Sequence, residues 1–574
     1  MPSLPCPSTR LYAASNFSRF FKNKTSPRRV GRRFYSSAPP ASPNPTPKYT
    51  GANRIQEQFS ADALRAFRNL GKILAWTGYG AIITGLITVI GFEGGHMWIE
   101  RQMRIQTDED AKRWGWEPEG WTGGEKGGTS SSLGLFGRHA VRAAWFALHY
   151  STPAGSSAAI SYASDGTTPG ALNLTNRDLQ NALVYLQNTL SRLRMEDGKL
   201  RPDKVTLDLL ERHASVLERI GTRAALVRAM EDYVLIHEGR DKEPLAQAQI
   251  AVKLGNLSER LGDGDAALAW WIRGIKLIED KPNKQPQAGA PDGSGLSTVP
   301  PAVTGLASKL RKGIQSAYSD TSPEALTEIP IRPPSSPLAQ RTLVAALLGL
   351  SAYYSRRGEL LQAKYIEERA IALIDVMVPT GTDISQSPGE TLHRLYLLHR
   401  KSVLFIHHAE VTYSLRASSR GRTSSDSLTD LMTATSLSER IAQVLTGKSS
   451  GIPESSSYLS QKPVTASPRD LVRPPAAKGD LTSNFEQSAA LRPTAKGILR
   501  DAKLTAAEAW DLSGVLYRDD KDGKEKSAEC FARALGWAGE PGLSGQDGMS
   551  LTGWEGLWKR YVEARERVGP PKQS

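Results

Sequence analysis

Apolar residues form one uninterrupted run near the start of the chain. Residues 73–92, ILAWTGYGAIITGLITVIGF, are 20 consecutive positions without a charged side chain. A helix rises about 1.5 Å per residue, so this run reaches roughly 30 Å, the hydrocarbon thickness of a bilayer. Lys72 and Glu93 bracket the run. The pattern predicts one transmembrane helix, and the alternative is a helix buried in a protein core.

Beyond position 176 the apolar residues recur with the spacing of amphipathic helices, and alternating strand patterns are almost lacking. The clearest segment is residues 254–277. Gly255 allows the first helix of this segment to approach a second one, and Gly262 breaks the chain between them. Trp271 fills the space beside the small residue. The segment therefore predicts a pair of packed helices.

Similar spacing returns in two later segments, and weaker versions of the pattern occur elsewhere. The matching positions are Leu350, Tyr354, Gly358, Ala363 and Ala370 in residues 347–373, and Trp510, Gly514, Tyr517, Ser527, Phe531 and Ala534 in the last segment, whose turn has one extra residue. Residues 207–236, with Gly221 at the turn, and residues 392–415 with 428–445 predict further pairs. Repeated offsets of this kind indicate stacked helical hairpins.

This recurring pattern strongly resembles the tetratricopeptide repeat. The resemblance implies an all-α fold, a tetratricopeptide-like helical-hairpin solenoid, here with one N-terminal transmembrane helix. In such a solenoid the first helix of each pair lines a concave groove that holds peptides. By this resemblance the groove-facing positions are Val252, Asn256, Glu259 and Arg260 in the first segment, Ala352, Ser355 and Arg356 in the second, and Val515 and Arg518 in the third.

Three of these groove positions suggest a specific role. Asn256, Arg260 and Arg356 are expected to clamp a peptide backbone or carboxylate, because amide and guanidinium groups donate hydrogen bonds to both. The alternative for each groove residue is a solvated convex face.

Composition divides the chain into further segments. Those rich in Pro, Ser, Gly or Thr cannot bury enough apolar surface to order themselves, so they are predicted to loop out between helical pairs. The predicted organisation is a mitochondrial presequence (1–36), a short matrix arm (37–72), the transmembrane helix (73–92), a Trp/Gly-rich neck with a short helix (93–175), helical repeats (176–280), a linker with a short helix (281–337), helical repeats (338–445), a disordered linker (446–495) and a C-terminal helical repeat (496–568).

The charge of the chain is concentrated at its N-terminus. The net charge is +14, but residues 1–56 hold ten Lys or Arg and no Asp or Glu, which leaves +4 (14 − 10) for the remainder. A nearly neutral body lacks the basic footprint of nucleic-acid-binding proteins, so no nucleic-acid partner is expected. The Arg- and Ser-rich, acid-free start is typical of a mitochondrial transit peptide, and the alternative is a disordered basic tail.

A cleavage pattern and the order of import predict the orientation. Residues 33–36, RFYS, resemble a matrix-peptidase site, which places the mature N-terminus near Ser36 or Ser37. Four Lys or Arg residues lie near each side of residues 73–92, so the positive-inside rule does not decide. Because the presequence enters the matrix first, the apolar run is expected to stop transfer and leave the body in the intermembrane space. The alternative is a body that faces the matrix.

The chain carries few residues in patterns that indicate catalysis or metal binding. Cys6 and Cys530 are the only cysteines, so removal of the presequence leaves one thiol and excludes an intramolecular disulfide or a thiolate metal site. Residues 447–449, GKS, end a predicted helix instead of opening one, so they are not a phosphate-binding loop. No cofactor, metal or small-molecule substrate is expected, and the chain is predicted not to be an enzyme.

Two clusters of polar side chains and one of tryptophans invite other interpretations. His393, His399, His407 and His408 are interpreted as hydrogen-bonded or solvated, and residues 367–369, EER, as a solvated helix face. The neck carries Trp114, Trp116 and Trp121. Exposed aromatics often form docking surfaces, but these could equally pack on the helical body or rest at the membrane.

The whole layout resembles the fungal adaptor subunits of the inner-membrane i-AAA protease, which present intermembrane-space substrates to that enzyme. This resemblance implies a membrane-integral adaptor for mitochondrial protein quality control, with the protease and its substrates as partners. The alternatives are an assembly factor for a respiratory-chain or other inner-membrane complex and an enzyme with an unrecognised site.

Overall fold

The structure is a computed structural model. Helices make up nearly all of its regular secondary structure, in agreement with the predicted all-α class. The structure describes residues 51–104, 108–116, 121, 128–150, 158–161, 173–193, 203–278, 332–378, 387–418, 425–448, 474–518, 523–539 and 551–568. The predicted presequence and nearly all of the predicted linker 281–337 lie outside these residues.

Sixteen α-helices and one two-stranded hairpin are present in the described residues. The helices are α1 (Gly51–Met103), α2 (Glu109–Arg113), α3 (Gly134–His149), α4 (Arg177–Arg192), α5 (Lys204–Ile220), α6 (Arg223–Gly239), α7 (Pro244–Arg260), α8 (Gly264–Ile278), α9 (Pro337–Arg356), α10 (Leu360–Met377), α11 (Pro388–Ser418), α12 (Ser425–Thr446), α13 (Ser483–Gln487), α14 (Arg492–Arg518), α15 (Lys524–Ala538) and α16 (Leu551–Val568). Strands β1 (Ala158–Ser161) and β2 (Asn173–Asn176) pair antiparallel, with Ala158 opposite Asn176.

Helix α1 contains the predicted transmembrane run and extends beyond it at both ends. It is 53 residues long, and its residues 63–103 form the one described helix that is long and apolar enough to cross a membrane. The large apolar side chains between Leu64 and Phe92 are exposed, whereas Ile99 and Met103 near the end of the helix are buried. The hydroxyls of Thr77, Thr84 and Thr88 each donate to the carbonyl four residues earlier at 2.8 Å, so their polar atoms are satisfied within the helix.

The chain divides into two units, residues 1–95 and residues 96–574. At the start of the second unit, Glu100 is 7% exposed and accepts hydrogen bonds from the backbone and hydroxyl of Thr129 at 2.9 and 2.6 Å. Arg142 of α3 donates to the same carboxylate at 2.7 Å. A buried carboxylate needs such partners, and here they fix the end of α1 to α3.

The later helices pack as consecutive pairs. Helices α5 and α6, α7 and α8, α9 and α10, α11 and α12, and α14 and α15 contact each other, and α9 also contacts both α7 and α11. Gly221, Gly262 and Gly358 occupy the turns between paired helices, with φ of +72°, +88° and +77°. Only glycine adopts this left-handed backbone without steric cost, which explains why the sequence breaks there.

Trp271 of α8 packs against two further helices, and the spacing of its segment predicts the contact with Gly255 but not the one with α9. Its side chain is fully buried, and a Cβ atom on Gly255 of α7 would lie 2.5 Å from its ring. A Cβ on Gly349 of α9 would lie 2.6 Å from the same ring. Gly514 and Phe531 repeat the arrangement at 2.8 Å near the C-terminus. Glycine thus allows helix backbones to approach an aromatic ring closely.

In the hairpin of α9 and α10, a polar pair, Ser351 and Glu367, takes the place of this glycine–aromatic pair. Glu367, interpreted from the sequence as part of a solvated face, is 0% exposed, so that interpretation is wrong for this residue. Ser351 donates to its Oε1 at 2.5 Å, and its Oε2 atom has no hydrogen-bond partner. Burial raises the pKa of Glu367 to about 7. The carboxyl therefore holds its proton far more readily than a solvated one.

The first part of the predicted neck packs on the helical body. Asp110 accepts hydrogen bonds from the Ser387 hydroxyl and from the Gly389 backbone N–H, the latter at 2.6 Å, and so satisfies the N-terminus of α11. Trp116 donates its indole N–H to the Gly389 carbonyl at 2.9 Å. Trp116 therefore packs on the helical body, which is one of the three alternatives that the sequence leaves open for the tryptophans of the neck.

Arg341 of α9 binds the same segment. Its guanidinium donates to the carbonyls of Trp114 and Gly115 at 2.9 and 2.7 Å, and its Cζ atom lies 3.7 Å from the centre of the Trp116 ring. Burial lowers the pKa of Arg341 to about 10, which still leaves the group charged at neutral pH. His393 also contacts this guanidinium, at 3.2 Å, so that histidine is hydrogen-bonded as interpreted.

Replacement of Arg341 by leucine is expected to release residues 108–116 from the body. The change removes two charge-assisted hydrogen bonds and a cation–π contact, which should cost about 2–3 kcal/mol of local stability. Hydrogen exchange of the backbone amides of residues 111–116 should accelerate. Arg228→Leu, on the exposed side of α6, is the matched control and should leave their exchange unchanged. Equal exchange in the two variants would contradict the role assigned to Arg341.

The prediction of a disordered linker over residues 446–495 is wrong for residues 474–495. These residues include a short 3₁₀ turn, α13 and the start of α14, and they bury Ala476, Phe485 and Leu491 in the C-terminal core. Their apolar positions are too few to form a helix hairpin of their own, but they fit against the side of α12 and α14. Packing against an existing surface therefore orders a segment that composition alone assigns to a loop.

Cys530 of α15 lies in the same core. Its side chain is 3% exposed, and burial raises the pKa of its thiol to about 12. The thiol is therefore protonated at neutral pH and inaccessible to reagents in the folded chain.

Candidate peptide-binding surface

The predicted groove residues of the first hairpin begin with Asn256 on α7. Its side chain is exposed, and its Oδ1 atom accepts a hydrogen bond from the indole N–H of Trp271 at 3.0 Å. The buried tryptophan therefore fixes the orientation of the exposed amide. Asn256 presents an oriented donor at the surface, which suits recognition of a peptide carbonyl.

Glu259 and Arg356 are brought together from different hairpins. The guanidinium of Arg356 on α9 forms an ion pair with the carboxylate of Glu259 on α7, and its Nε donates to the Ala352 carbonyl at 3.1 Å. The predicted clamp is therefore modified, because Arg356 already has an anionic partner. A ligand carboxylate would have to compete with Glu259, whereas a polar peptide can bind beside the neutral pair.

The other predicted groove residues have different environments. Val252 is 5% exposed and packs against Gly274 of α8, so its assignment to the groove is wrong. Its position on α7 faces the second helix of the pair, where an apolar side chain fills space. Ala352, Ser355 and Val515 are half-buried, and Arg260 and Arg518 are exposed. Arg260 lies beside Gly221, at the turn between α5 and α6, rather than beside Arg356.

Ion pairs connect the first helices of successive pairs. Lys253 of α7 contacts Glu211 of α5 at 3.0 Å, and Glu211 also accepts from Arg240 at 2.9 Å. Burial alone would raise the pKa of Glu211, but Lys253 and Arg240 lower it below its ordinary value. Together with Glu259–Arg356, these contacts form a row of polar groups along α5, α7 and α9.

Helices α11 and α14 extend this row with residues that the sequence analysis did not select as groove positions. Glu410 and Glu508 are both exposed, yet desolvation by the surrounding protein raises the pKa of each. The charge of Glu410 also raises the pKa of Glu508, so the two carboxylates lie near each other on α11 and α14. Asp511 lies close to Glu508 and also raises its pKa.

The charge along the row changes from one end to the other. Desolvation lowers the pKa of His407 on α11, and the positive charge of Arg356 lowers it further, so His407 lies near the Glu259–Arg356 pair. Glu410, Glu508 and Asp511 follow, and Arg560 of α16 pairs with Asp511 at 2.7 Å. The polar row of α7, α9, α11 and α14 therefore has a neutral end and an acidic end.

The spacing of these residues was visible in the sequence. His407 and Glu410 are three positions apart, as are Glu508 and Asp511, so each pair shares one helix face. Within the described residues, His399 bonds to the Thr505 hydroxyl at 3.1 Å and His408 to Asp430 at 2.8 Å, in agreement with the hydrogen-bonded interpretation.

A separate cavity of about 540 Å³ opens at the turn between α7 and α8. Residues 261–265, Arg223, Tyr353 and Arg357 line it. Two of its charged groups already bind each other, because Asp265 accepts from Arg357 at 2.8 Å, and Asp265 also accepts from the Tyr353 hydroxyl at 2.8 Å.

No protein-family model matches the chain, and a search of the curated proteins finds no significant match. The proposed function therefore rests on the geometry of the chain itself.

Proposed function

We propose that this chain is a membrane-anchored scaffold that binds other proteins through a tetratricopeptide-like stack of helical hairpins. The observation that carries the proposal is the polar row along α7, α9, α11 and α14, which are the first helices of successive pairs. In stacked hairpins this face binds extended or helical peptides. The proposal includes no catalysis, cofactor, nucleic acid or small-molecule substrate.

The proposal also includes a membrane anchor and a cellular location. Helix α1 has the length and composition of a membrane span, and the acid-free, Arg-rich start of the chain is typical of a mitochondrial presequence. We therefore assign the chain to the mitochondrial inner membrane as a single-pass protein with its body in the intermembrane space. In mitoplasts, a C-terminal tag should be digested by added protease. Protection of the tag would instead support a matrix-facing body.

Within this class, we propose a role as substrate adaptor for the i-AAA protease. The proposal rests on the layout of presequence, single span and tetratricopeptide-like body. Affinity purification of the tagged chain in mild detergent should recover the hexameric protease. Recovery of respiratory-chain subunits without the protease would favour an assembly factor, and an enzymatic activity that copurifies with the chain would favour the enzyme alternative.

Photo-crosslinking tests the binding surface directly. A benzophenone amino acid at Arg356 or at Glu410 should crosslink to bound client proteins, because both positions lie on the polar row. The same group at Tyr365 is the matched control, since Tyr365 is an exposed residue on α10, a second helix of its pair. Crosslinking that is equal at all three positions, or strongest at Tyr365, would contradict the assignment.

Charge reversal at the acidic end is expected to weaken client binding. Glu508→Lys places a cation beside Glu410 and inverts the local potential, which should weaken the binding of a client with a basic segment by about tenfold, or about 1.4 kcal/mol. The measurement is the amount of crosslinked client as a function of client concentration. Glu525→Lys, at the exposed start of α15, changes the net charge equally and should leave binding unchanged. Equal binding by both variants would place the binding surface elsewhere.

A further inference from the structure

The outer face of α3 is an uncharged stripe that the described residues leave partly exposed. Leu135, Phe136, Ala143 and Phe146 recur at helical spacing on one side, and Tyr150 continues the stripe just beyond the helix. His139 lies between them in the chain but packs against the buried ring of His96, with centroids 4.2 Å apart. Leu135 and Phe136 are 63% and 70% exposed, and Phe146 and Tyr150 are 45% and 49% exposed. A helix on the surface of a water-soluble body normally places charged residues on this side.

The opposite face of α3 is already used for packing. Val141 and Ala144 are fully buried, and Trp145 is nearly so, in the core that α3 shares with α4 and α5. The helix is therefore apolar on both sides. An exposed patch of large apolar side chains of this kind marks contact with another surface.

Aromatic contacts connect this stripe to the end of α1. The rings of Phe146 and Tyr150 stack with centroids 5.3 Å apart, and Trp98 of α1 lies 5.5 Å from Tyr150. Trp98 itself is 40% exposed and its neighbour Met97 59% exposed. Trp98, Phe146 and Tyr150 thus form one partly exposed aromatic cluster.

Chain connectivity limits the distance between Trp98 and the apolar run. Trp98 follows Phe92 by only six residues, which span at most about 21 Å when fully extended. If residues 73–92 cross a bilayer, Trp98 must therefore lie within reach of the interface. Tryptophan and tyrosine are enriched at this depth because their rings are amphipathic.

Basic side chains on neighbouring segments also fit a lipid surface. The guanidinium of Arg192 on α4 lies 5.4 Å from the centre of the Phe136 ring, and Arg101 and Arg104 are exposed and follow Trp98 in the chain. Basic side chains around an apolar helix face attract anionic headgroups while the apolar face enters the acyl boundary.

We propose that the outer face of α3, from Leu135 to Tyr150, is an interfacial membrane-binding surface that inserts into the headgroup region of the bilayer crossed by α1. The inference rests on the proposed anchoring by α1. It adds a second lipid contact, which comes from the soluble body and is separate from the span. Interfacial helices of this type bury their apolar face about 5–10 Å into the boundary between headgroups and acyl chains.

Spin labels on single cysteines test the proposal in the full-length chain. The background is Cys6→Ser, and Cys530 is retained because its thiol is buried. Labels are placed at Phe136→Cys and Phe146→Cys on α3, at Ile83→Cys in the apolar run and at Leu361→Cys, an exposed apolar position on α10. The protein is reconstituted in vesicles of phosphatidylcholine with a minority of phosphatidylglycerol. Collision rates with oxygen, which partitions into lipid, and with a water-soluble nickel chelate are then measured.

The ratio of oxygen to nickel collisions should be highest at position 83 and lowest at position 361. At positions 136 and 146 it should lie between these two values. Labels on α3 that resemble position 361 would overturn the proposal, even if position 83 is in lipid. Labels on α3 that are shielded from both reagents would also overturn it, because a protein partner would then cover the face. A water-exposed label at position 83 would overturn the anchoring itself, and with it the α3 proposal.

Discussion

Replacement of Trp271 by alanine is expected to lower the free energy of unfolding by about 3–5 kcal/mol, the range for removal of a large aromatic side chain from a core. Trp271 is fully buried and contacts glycines on both α7 and α9, so the cavity opens where two hairpins meet. Its loss also releases the Asn256 amide, which it orients at 3.0 Å. Chemical denaturation of the full-length chain in detergent, followed by circular dichroism, measures the change.

A double-mutant cycle separates close packing from simple loss of apolar area. Gly349→Ala introduces a Cβ atom 2.6 Å from the Trp271 ring, which should cost about 1–3 kcal/mol through overpacking. The same substitution should cost far less in the Trp271→Ala background, where the clash is absent. Gly497→Ala is the control, because no heavy atom lies within 4 Å of its added Cβ and alanine favours helices. Additive effects of Trp271→Ala and Gly349→Ala would contradict the contact.

The second large effect is a pH dependence that Glu367→Gln removes. The pKa of Glu367 is raised by burial from 4.5 to about 7, so the folded chain keeps a proton that the unfolded chain releases between these values. Stability therefore falls as pH rises from about 4.5 to 7 and stays low above that. A difference of about 2.5 pK units corresponds to roughly 3 kcal/mol.

The measurement compares the two proteins at several pH values. Other groups titrate in both, so the quantity of interest is the difference in unfolding free energy between wild type and Glu367→Gln. Relative to the variant, the wild type should lose about 3 kcal/mol between pH 4.5 and 8. Glu368→Gln, at the adjacent and more exposed position, should follow the wild type. A difference that does not change with pH would show that Glu367 is ionised in the folded chain.

The sequence predicted the parts of the fold that depend on local spacing. The apolar run 73–92 lies within a helix that satisfies the criteria for a membrane span, and Gly255 and Trp271 meet as their offset in the chain indicates. The turns at Gly221, Gly262 and Gly358 were also visible, because a left-handed residue between two amphipathic segments is nearly always glycine.

Features that depend on distant residues could not be read from local patterns. Asp110 caps α11 across 279 positions of sequence, and Arg341 holds the carbonyl of Gly115 across 226. Glu367 is a further case, because Glu368 and Arg369 follow it in the chain and make a solvated face the simplest expectation, whereas its buried partner Ser351 lies on α9. Val252 is the opposite case, because it was expected to face the groove but is buried. A small rotation of a helix is enough to move a residue from the groove face into the core.

The position of Cys530 makes this thiol insensitive to redox conditions while the chain is folded. Its sulfur is enclosed by the C-terminal core, and a thiol whose pKa is about 12 offers almost no thiolate for exchange with glutathione or oxidoreductases. Neither an oxidising nor a reducing compartment should therefore change the covalent state of Cys530. Damage by peroxide at this sulfur should begin only after the region around α15 has unfolded.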